Sequence, residues 1–222
     1  MQKRNLIEWN AIDTVLLDMD GTLLDDHYED FFWDVEVPKR YAAKYIITTK
    51  EANKRLQKLY YKHEKSMAWS DIDFWEKELD MKLWSIRHQL RHLVRLHPHT
   101  IRFLRFLKKH KKRIYLVTAS HPKDIDFKFG YSKIGGYFDG ICTSFDFGIS
   151  KHDKLFWKNL QKKLKYDNNR TLFADDKEKI VRVAKSSGIK WVIVKSKSSS
   201  KKPANMPKNL LYVHHFDDII PS

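Results

Sequence analysis

Residues 14–23 read TVLLDMDGTL, and this stretch decides most of what the sequence predicts about the fold. Its first four residues are β-branched or aliphatic, which is typical of a buried strand in a parallel sheet. Asp18 and Asp20 stand at the C-terminal end of that strand, and Gly21 and Thr22 then break it and turn the chain. The stretch therefore predicts a core strand that delivers two carboxylates to one edge of a sheet.

Two ionised carboxylates this close together need compensation. Asp18 and Asp20 are separated by one residue, so the turn can aim both side chains at one point. Neighbouring carboxylates repel each other and lose hydration, and they are tolerated best around a cation. Because oxygen ligands suit Mg²⁺, the pair indicates a magnesium site. A solvent-exposed turn after a core strand explains an isolated Asp-x-Asp-Gly equally well.

The composition is typical of a soluble globular protein. At 222 residues the chain can hold one substantial domain plus a small insertion, and 42% hydrophobic residues suffice for a packed core. No apolar run approaches the roughly 20 residues of a membrane helix, and no apolar signal core follows the basic start Met1–Asn5. Cys142 is the single cysteine, which excludes an internal disulfide framework. We therefore expect a cytoplasmic protein without membrane partners.

The formal net charge of +15 has several possible explanations. It is compatible with a nucleic-acid partner, an anionic membrane surface or a small anionic substrate. The basic residues are spread over most of the chain, with clusters at 108–113 and 195–202. The first cluster ends a predicted helix, where cations suit the helix dipole. This distribution favours a lysine-rich solvated surface over a nucleic-acid site, which remains the alternative of a different class.

Residues 25–96 have the pattern of a helical block without a strand. Thr48–Glu51 matches a capping box, and Ser70–Asp73 has the composition of a second helix start. Asp80 can cap a further helix that carries apolar residues between 83 and 93. The segment therefore predicts three or four helices.

From Pro98 onward, strands alternate with helices. The pattern predicts strands at 114–117, 141–143, 171–174, 191–194 and 210–213, and helices at 100–110, 152–164 and around 180–188. Such alternation is typical of an α/β, doubly wound parallel sheet, whose strands present their C-terminal ends at one ligand-binding edge. We therefore predict a Rossmann-like core at 1–24 and 97–222, with an all-helical domain at 25–96 inserted after the first strand.

Three further polar groups are predicted to lie at this edge. The hydroxyl of Thr118 and the turn after it can donate hydrogen bonds to a phosphoryl oxygen. Lys151 near a helix N-terminus is unfavourable for the helix dipole, which hints at an anion to bind. Asp175 and Asp176 add a second acid pair, although two acids before a helix can also be an N-cap pair. Each signal is weak when taken alone.

The order of these groups along the chain carries more information than any one of them. An acid pair, a hydroxyl, a lysine and a second acid pair follow one another in a way that resembles the four motifs of the haloacid dehalogenase-like superfamily. The Asp-x-Asp-Gly-Thr string at 18–22 is the most specific of them. The resemblance covers essentially the whole chain, because the helical block at 25–96 is similar to that family's small cap domain. It implies a Mg²⁺-dependent phosphoric monoester hydrolase.

The resemblance also implies a role for each motif residue. Asp18 corresponds to the nucleophile that forms an aspartyl-phosphate, and Asp20 to the general acid and base. Thr118, Ala119 and Lys151 correspond to the residues that bind the substrate phosphate. The implied Mg²⁺ ligands are Asp18, the carbonyl group of Asp20, Asp175 and Asp176. The helical cap is then expected to close over the substrate.

A narrower similarity points to the bacterial GMP/IMP nucleotidase branch. It rests on short words scattered from end to end: Ile7–Trp9, Asp13–Asp25, Phe32-Trp33, Val37-Pro38, His121-Pro122, Arg170–Phe173 and Ile219–Pro221. One departure is Ala119-Ser120, where that branch has Asn-Ala after the threonine. The similarity implies a small phosphorylated substrate, a purine nucleoside 5′-monophosphate. A phosphatase or phosphomutase acting on another small phosphate ester, such as a sugar phosphate, is the alternative.

Several aromatic and reactive side chains have two possible roles. Trp33, Trp69, Phe74, Trp75 and Trp84 could stack on a base, but at helical spacing they are more often the packed core of a cap. His121 could bind or protonate a substrate, but we interpret it as a loop residue before Pro122. Cys142 lies in a predicted buried strand and is interpreted as a packing residue rather than a nucleophile.

Overall fold

The protein contains a six-stranded sheet in which all paired strands are parallel. The structure is a computed structural model that describes residues 7–64 and 66–221, so the basic start Met1–Asn5 lies outside the described residues. The strands are β1 (Thr14–Leu17), β2 (Arg113–Thr118), β3 (Gly140–Thr143), β4 (Thr171–Asp175), β5 (Trp191–Lys195) and β6 (Tyr212–Val213). Their order across the sheet is β3-β2-β1-β4-β5-β6. The predicted α/β, doubly wound architecture is confirmed.

The first strand lies in the middle of the sheet. Leu17 pairs with Leu116 of β2 on one side and with Ala174 of β4 on the other. The residue after β1, Asp18, therefore lies next to Asp175, which ends β4. This register brings the C-terminal ends of three strands to one edge of the sheet. The strand order reverses between β1 and β4, and ligands of open α/β sheets bind at such a point.

Helices cover both faces of the sheet. They are α6 (Thr100–Lys109), α7 (Pro122–Ser132), α8 (Lys154–Leu164) and α9 (Glu178–Ser186). Val15 and Leu17 pack in a cluster with residues of α6 and α7, whereas Leu16 packs in a second cluster with residues of α8 and α9. Because alternate residues of a strand point to opposite faces, both faces of β1 are buried. This burial explains the continuous apolar run of the sequence.

The helical insertion between β1 and α6 has a hydrophobic cluster of its own. Within residues 25–64 and 66–96 its α-helices are α1 (His27–Phe31), α2 (Val37–Tyr45), α3 (Thr49–His63), α4 (Ile72–Leu79) and α5 (Leu83–Gln89). A wide π turn, Phe32–Glu36, joins α1 to α2. The predicted helical block is confirmed, although the predicted three or four helices missed α1 and α2. Pro38 is the second residue of α2, where the missing N–H of a proline is tolerated because the first turn of a helix leaves its N–H groups without intrahelical partners.

The helix starts of the insertion were predicted with one error. Thr48 accepts the Glu51 N–H at 3.2 Å and caps α3, and Asp71 accepts the Asp73 N–H at 2.9 Å and caps α4. Asp80 does not cap α5. It ends α4 in a left-handed conformation with φ of 49°, a conformation that Asp tolerates better than most residues.

The two chain segments that connect the insertion to the sheet lie side by side. Leu24 forms an antiparallel bridge with Leu96. The Asp25 N–H donates to the Arg95 carbonyl oxygen at 2.8 Å, and the His97 N–H donates to Leu23 at 2.9 Å. The insertion therefore joins the rest of the chain through one short paired crossing, next to the carboxylate edge of the sheet.

Within the described ranges, no helix combines the length and the apolar character needed to cross a membrane.

Candidate active site

Three carboxylates meet at the C-terminal edge of the sheet. Asp18, Asp175 and Asp176 each offer one oxygen atom, and these atoms lie within 4.8 Å of one another. Asp175 belongs to β4 and accepts the Lys177 N–H at 2.8 Å, while α9 begins only at Glu178 without a side-chain cap. The N-cap interpretation of the second acid pair is therefore wrong, and the register of the sheet brings Asp18 of the first pair next to Asp175 and Asp176 of the second.

Lys151 lies between these carboxylates rather than at a helix terminus. It precedes Asp153, the N-cap of α8, and is only 2% exposed. Its Nζ donates to Asp18 Oδ1 at 2.6 Å, to Asp175 Oδ2 at 2.7 Å and to the Val117 carbonyl oxygen at 3.1 Å. An ammonium group has three N–H donors, so protein acceptors satisfy all of them. The predicted anion-binding lysine is thus already paired with carboxylates.

Burial and charge act against each other on these groups. Burial raises the pKa of the Asp18 carboxyl to about 6, although the Lys151 ammonium opposes the shift. Burial, with the negative charge of Asp175, also raises the pKa of Asp176 well above its usual value. Burial alone would lower the pKa of Lys151, but Asp175 and Asp18 hold it above its usual range. The site therefore has more negative charge than its ammonium groups neutralise.

The three carboxylates fit a small divalent cation. When all three are ionised, Asp18, Asp175 and Asp176 carry three negative charges against the two positive charges of the nearby Lys151 and Lys177 ammonium groups, and a cation would favour that ionised state. The Oδ1 atom of Asp176 is buried and has no hydrogen-bond partner among the described residues. A set of oxygen donors with one unsatisfied buried carboxylate oxygen is the kind of site that Mg²⁺ occupies.

Gly21 allows the loop after β1 to pass close to Asp176. Its φ is +71°, a left-handed conformation that favours glycine. A Cβ atom at this position would lie 2.7 Å from the Asp176 Cγ and Oδ2 atoms. The glycine in the Asp-x-Asp-Gly string therefore has a steric role, because a side chain here would displace a carboxylate of the cluster.

We expect Gly21→Ala to destabilise the protein and to weaken any binding of Mg²⁺ to this cluster. The left-handed backbone should cost about 1–2 kcal/mol, and the displaced Asp176 should raise the Mg²⁺ concentration needed for half-maximal binding. Gly148→Ala is the matched control, because Gly148 also has a positive φ of +62° but its Cβ would meet nothing within 4 Å. Denaturant unfolding and Mg²⁺ titrations separate the two effects. Equal Mg²⁺ affinity in Gly21→Ala and the wild-type protein would contradict the steric role.

The turn after β2 connects the predicted phosphate-binding residues to Asp20. The Thr118 hydroxyl donates to Ser120 Oγ at 3.1 Å, and the Ser120 hydroxyl donates to Asp20 Oδ2 at 3.1 Å. Ala119 lies between them and lines the same cavity as Asp18. Ser120 is therefore an additional site residue at the position where the sequence departs from the nucleotidase branch.

A second charged cluster surrounds Asp20, and the sequence interpretation missed it. Asp20, Glu29 and Asp124 each offer an oxygen atom within 4.8 Å of the others, and Lys128 forms ion pairs with all three. Burial raises the pKa of Asp20, and Lys128 opposes the shift. Burial would also raise the pKa of Glu29, but Arg87 and Lys128 hold it well below its usual range. The only sequence signal for this cluster was the four-residue spacing between Asp124 and Lys128, which is typical of an ion pair on one helix.

A cavity of about 260 Å³ connects both clusters to the helical insertion. On the insertion side its wall includes Trp33, Tyr60 and Trp69. Trp69 is 41% exposed, whereas Trp75 is 1% exposed and also belongs to the packed core of the insertion. Of the five side chains considered for stacking, Trp33, Trp69 and Trp75 line the cavity, although Trp33 and Trp75 also pack in the hydrophobic cluster of the insertion. Phe74 and Trp84 pack in that cluster and do not line the cavity.

Three other side chains lie outside the charged clusters. Trp84 lines a separate hollow against α7. His121 caps α7, with its ring nitrogen accepting the Lys123 N–H at 3.3 Å. Cys142 is buried in the second hydrophobic cluster, and burial raises the pKa of its thiol. These placements agree with the structural interpretations of His121 and Cys142.

The comparison with known families decides the assignment of the chain. A family model described as haloacid dehalogenase-like hydrolase matches residues 12–188. The chain belongs to the haloacid dehalogenase-like hydrolases. It is therefore an enzyme of the hydrolase class, and the resemblance inferred from the motif order is confirmed.

Two proteins of known name are similar in sequence to this chain. The chain is 32% identical over 187 residues to the GMP/IMP nucleotidase YrfG of Escherichia coli (strain K12), with 84% of each chain covered. The protein of the same name from Shigella flexneri matches equally well. Both matches agree with the narrower resemblance found in the sequence.

Solved structures of the family share the fold. A HAD phosphatase from Thermococcus onnurineus has a TM-score of 0.74 at 23% identity, covering 90% of this chain and 92% of that chain. A putative beta-phosphoglucomutase from Thermotoga maritima has a TM-score of 0.62 at 18% identity, covering 82% and 85%. At these identities the likeness shows the fold alone.

Proposed function

We propose that this hydrolase cleaves phosphate monoesters through an aspartyl-phosphate on Asp18, and that its substrates are purine nucleoside 5′-monophosphates with a 6-oxo group. The observation that carries the proposal is the buried Asp18 carboxylate, which lines a cavity beside Lys151 and Asp175. The hydrolase family and the 32% identity to GMP/IMP nucleotidases support the reaction and substrate.

The first step transfers the phosphoryl group to the protein. An Asp18 oxygen forms a bond to phosphorus while the bond from phosphorus to the ester oxygen breaks. Asp20 gives a proton to the departing oxygen, so the leaving group departs as an alcohol. The 23% exposure of the Asp20 side chain, which lines the same cavity, supports this role.

The second step returns Asp18 to its starting state. Asp20, now a carboxylate, takes a proton from a water molecule as its oxygen attacks phosphorus. The bond between phosphorus and Asp18 breaks, and inorganic phosphate leaves. One carboxyl group thus serves as acid and then as base, a role that is favoured when burial raises the pKa of Asp20 above its usual value.

The residues around Asp18 orient it and stabilise the charge of the phosphate. Lys151 holds the Asp18 carboxylate in place, and Thr118 and the Ala119 turn offer donors to phosphoryl oxygens. Asp18, the Asp20 carbonyl group, Asp175 and Asp176 would hold Mg²⁺. The ion would offset the repulsion between a carboxylate nucleophile and an anionic substrate.

We propose that residues 25–96 act as a cap, with residues 1–24 and 97–222 as the catalytic core. The paired crossing between Leu24 and Leu96 supports these boundaries, since it is the short connection about which a cap would move. Closure of the cap would exclude water while the phosphoryl group moves to Asp18.

The aromatic wall of the cavity supports a planar leaving group. Trp33, Tyr60 and Trp69 of the insertion line the same cavity as Asp18 and Asp175 at the sheet edge. The Tyr60 hydroxyl is buried and has no hydrogen-bond partner among the described residues. Stacking of a base on an aromatic side chain stabilises binding by about 1–3 kcal/mol. A hexose phosphate has no planar base and would gain less of this stabilisation.

We expect GMP and IMP to lead AMP and a hexose phosphate in kcat/KM, measured by phosphate release under one Mg²⁺ condition. A buried group that bonds the 6-oxo group and its neighbouring N–H would be left unpaired by a 6-amino purine, which permits strong discrimination. If the hexose phosphate leads, the nucleotidase assignment is wrong and the phosphatase class alone remains. If no phosphate ester is turned over, the proposed reaction is wrong as well.

A pair of tryptophan variants tests the stacking wall directly. Trp69→Ala should weaken the binding of the GMP transition state by about 1–3 kcal/mol, and kcat/KM for GMP should fall accordingly. The fall in kcat/KM for the hexose phosphate should be smaller. Trp84→Ala is the control, because its ring lines the separate hollow and not this cavity. The control should leave the ratio of GMP to hexose phosphate unchanged. Equal ratios in both variants would remove Trp69 from substrate recognition.

A further inference from the structure

Lys128 is an ammonium group buried among carboxylates. It lies on α7 and is 1% exposed. Its Nζ donates to Asp20 Oδ1 at 2.8 Å and Asp20 Oδ2 at 2.7 Å, and it lies 2.7 Å from Glu29 Oε1 and 2.8 Å from Asp124 Oδ2. A buried ammonium is tolerated only with such partners, so its position is tightly specified.

Arg87 completes the cluster from the other side. Its guanidinium donates to both Glu29 carboxylate oxygens at 2.9 Å and to Asp124 Oδ1 at 2.8 Å. With all three carboxyl groups ionised, Asp20, Glu29 and Asp124 carry three negative charges against two positive ones on Lys128 and Arg87, which leaves a net charge of −1. Arg87 therefore holds the partners of Lys128, but it has no contact with Asp20 among the ion pairs of the described residues.

The cluster spans both parts of the chain. Glu29 lies on α1 and Arg87 on α5, both in the insertion, whereas Asp124 and Lys128 lie on α7 beside the sheet. Lys128 is thus the link between Asp20 and the acidic groups of both parts. Its N–H donors are satisfied by carboxylates, which leaves none for a phosphate oxygen. Its ammonium also takes the place that a metal ion would need between those acids.

We propose that Lys128 is a positioning residue for Asp20, and that it fixes the Asp20 carboxyl in the orientation needed to protonate the leaving oxygen. The inference rests on the proposed function. Bonds to both Asp20 oxygens fix the plane of the carboxyl group, and the Ser120 hydroxyl supports the Oδ2 atom from another side at 3.1 Å. Without the ammonium, Asp20 would face Glu29 and Asp124 unscreened and would turn away from them.

The leaving-group dependence of kcat/KM distinguishes positioning from structural support. This parameter covers the steps up to departure of the leaving group, which is where Asp20 acts as acid. A nucleoside monophosphate needs that proton, whereas 4-nitrophenyl phosphate has a good leaving group and needs it less. Lys128→Met should lower kcat/KM for the nucleotide about 10²-fold more than for the aryl ester, the loss typical of a misplaced group. Asp20→Asn should show the same bias at least as strongly.

Arg87→Met is the matched control. It also removes one buried cation from the cluster, but that cation contacts Glu29 and Asp124 and not Asp20. We expect a similar loss of thermal stability and an equal loss of kcat/KM for both substrates. A strong leaving-group bias in Arg87→Met would show that general disorder of the cluster causes the effect, and would overturn the proposal.

A double variant guards against a failure of Lys128→Met to fold. Lys128→Met with Asp124→Asn leaves Asp20 and Glu29 against Arg87, so the net charge returns to −1 while Asp20 still lacks its ammonium partner. Circular dichroism and thermal unfolding establish which variant is folded, and that variant supplies the substrate ratio. Equal losses for both substrates overturn the role of Lys128. Absence of turnover of both esters by the wild-type protein rejects the proposed function instead.

Discussion

Replacing Asp18 by asparagine is expected to lower kcat about 10⁶-fold, the size of loss found when a covalent nucleophile is removed from a hydrolase. An amide cannot attack phosphorus as a carboxylate does. The fold should survive, because Lys151 keeps the Asp175 carboxylate and the Val117 carbonyl oxygen as acceptors. Turnover and capture of labelled phosphate on acid-quenched protein measure the loss of reaction and of the intermediate separately.

Asp13→Asn is the control for this substitution. Asp13 immediately precedes β1 at the opposite end from Asp18, and its exposed carboxylate pairs with Arg170. The same chemical change there should leave turnover and labelling at the wild-type level. Clear turnover by homogeneous Asp18→Asn, or labelled phosphate still bound to it, would refute the covalent mechanism.

Removal of divalent metal is expected to abolish turnover as completely as the loss of Asp18. Exhaustive chelation should stop phosphate release, and Mg²⁺ should restore it. Ca²⁺ should restore little, because it prefers more ligands at longer distances than the near-octahedral arrangement of Mg²⁺. Full activity in protein shown to be free of metal would eliminate the proposed role of Asp175 and Asp176.

Thermal unfolding supplies a second test of the metal site that does not depend on activity. A cation that binds only the folded protein stabilises it by about 2.7 kcal/mol at 100 times its Kd, so Mg²⁺ should raise the Tm. Asp176→Asn should lose most of this shift. In chelator the same variant should be no less stable than the wild type, because it removes a buried carboxyl that Asp175 and Asp18 repel. An equal Mg²⁺ shift in both proteins would contradict the assignment.

The site residues differ in how far their contacts could be predicted from the sequence. Asp18 and Asp175 could be predicted to meet because parallel strands end at a common edge, whatever their separation in sequence. Lys151 was found by its place in the motif order, but its three acceptors come from β1, β2 and β4. The sequence pattern predicts that Lys151 lies in the site. Only the folded chain shows that protein acceptors use all three of its N–H donors.

In the helical insertion, too, some features could be predicted from local sequence and others could not. Capping signals at Thr48 and Asp71 are local, since each involves a side chain and a backbone N–H two or three residues away. They were therefore readable without the fold. Asp80 carried an equally good local signal, but it ends α4 in a left-handed conformation. Local chemistry permits both uses of an aspartate, and the path of the chain into the next helix selects one.

The sequence alone determined the parallel sheet, the helical insertion and the motif residues, because strand and helix periodicities and strand-end carboxylates are recorded locally. Only the tertiary structure decided which aromatic rings face the cavity and which form the core of the insertion. It also decided that Lys128 and Arg87 surround Asp20 and Glu29, since these partners lie between 58 and 108 residues apart. Periodicity shows that one face of a helix is buried, but the partner of that face depends on how distant elements pack.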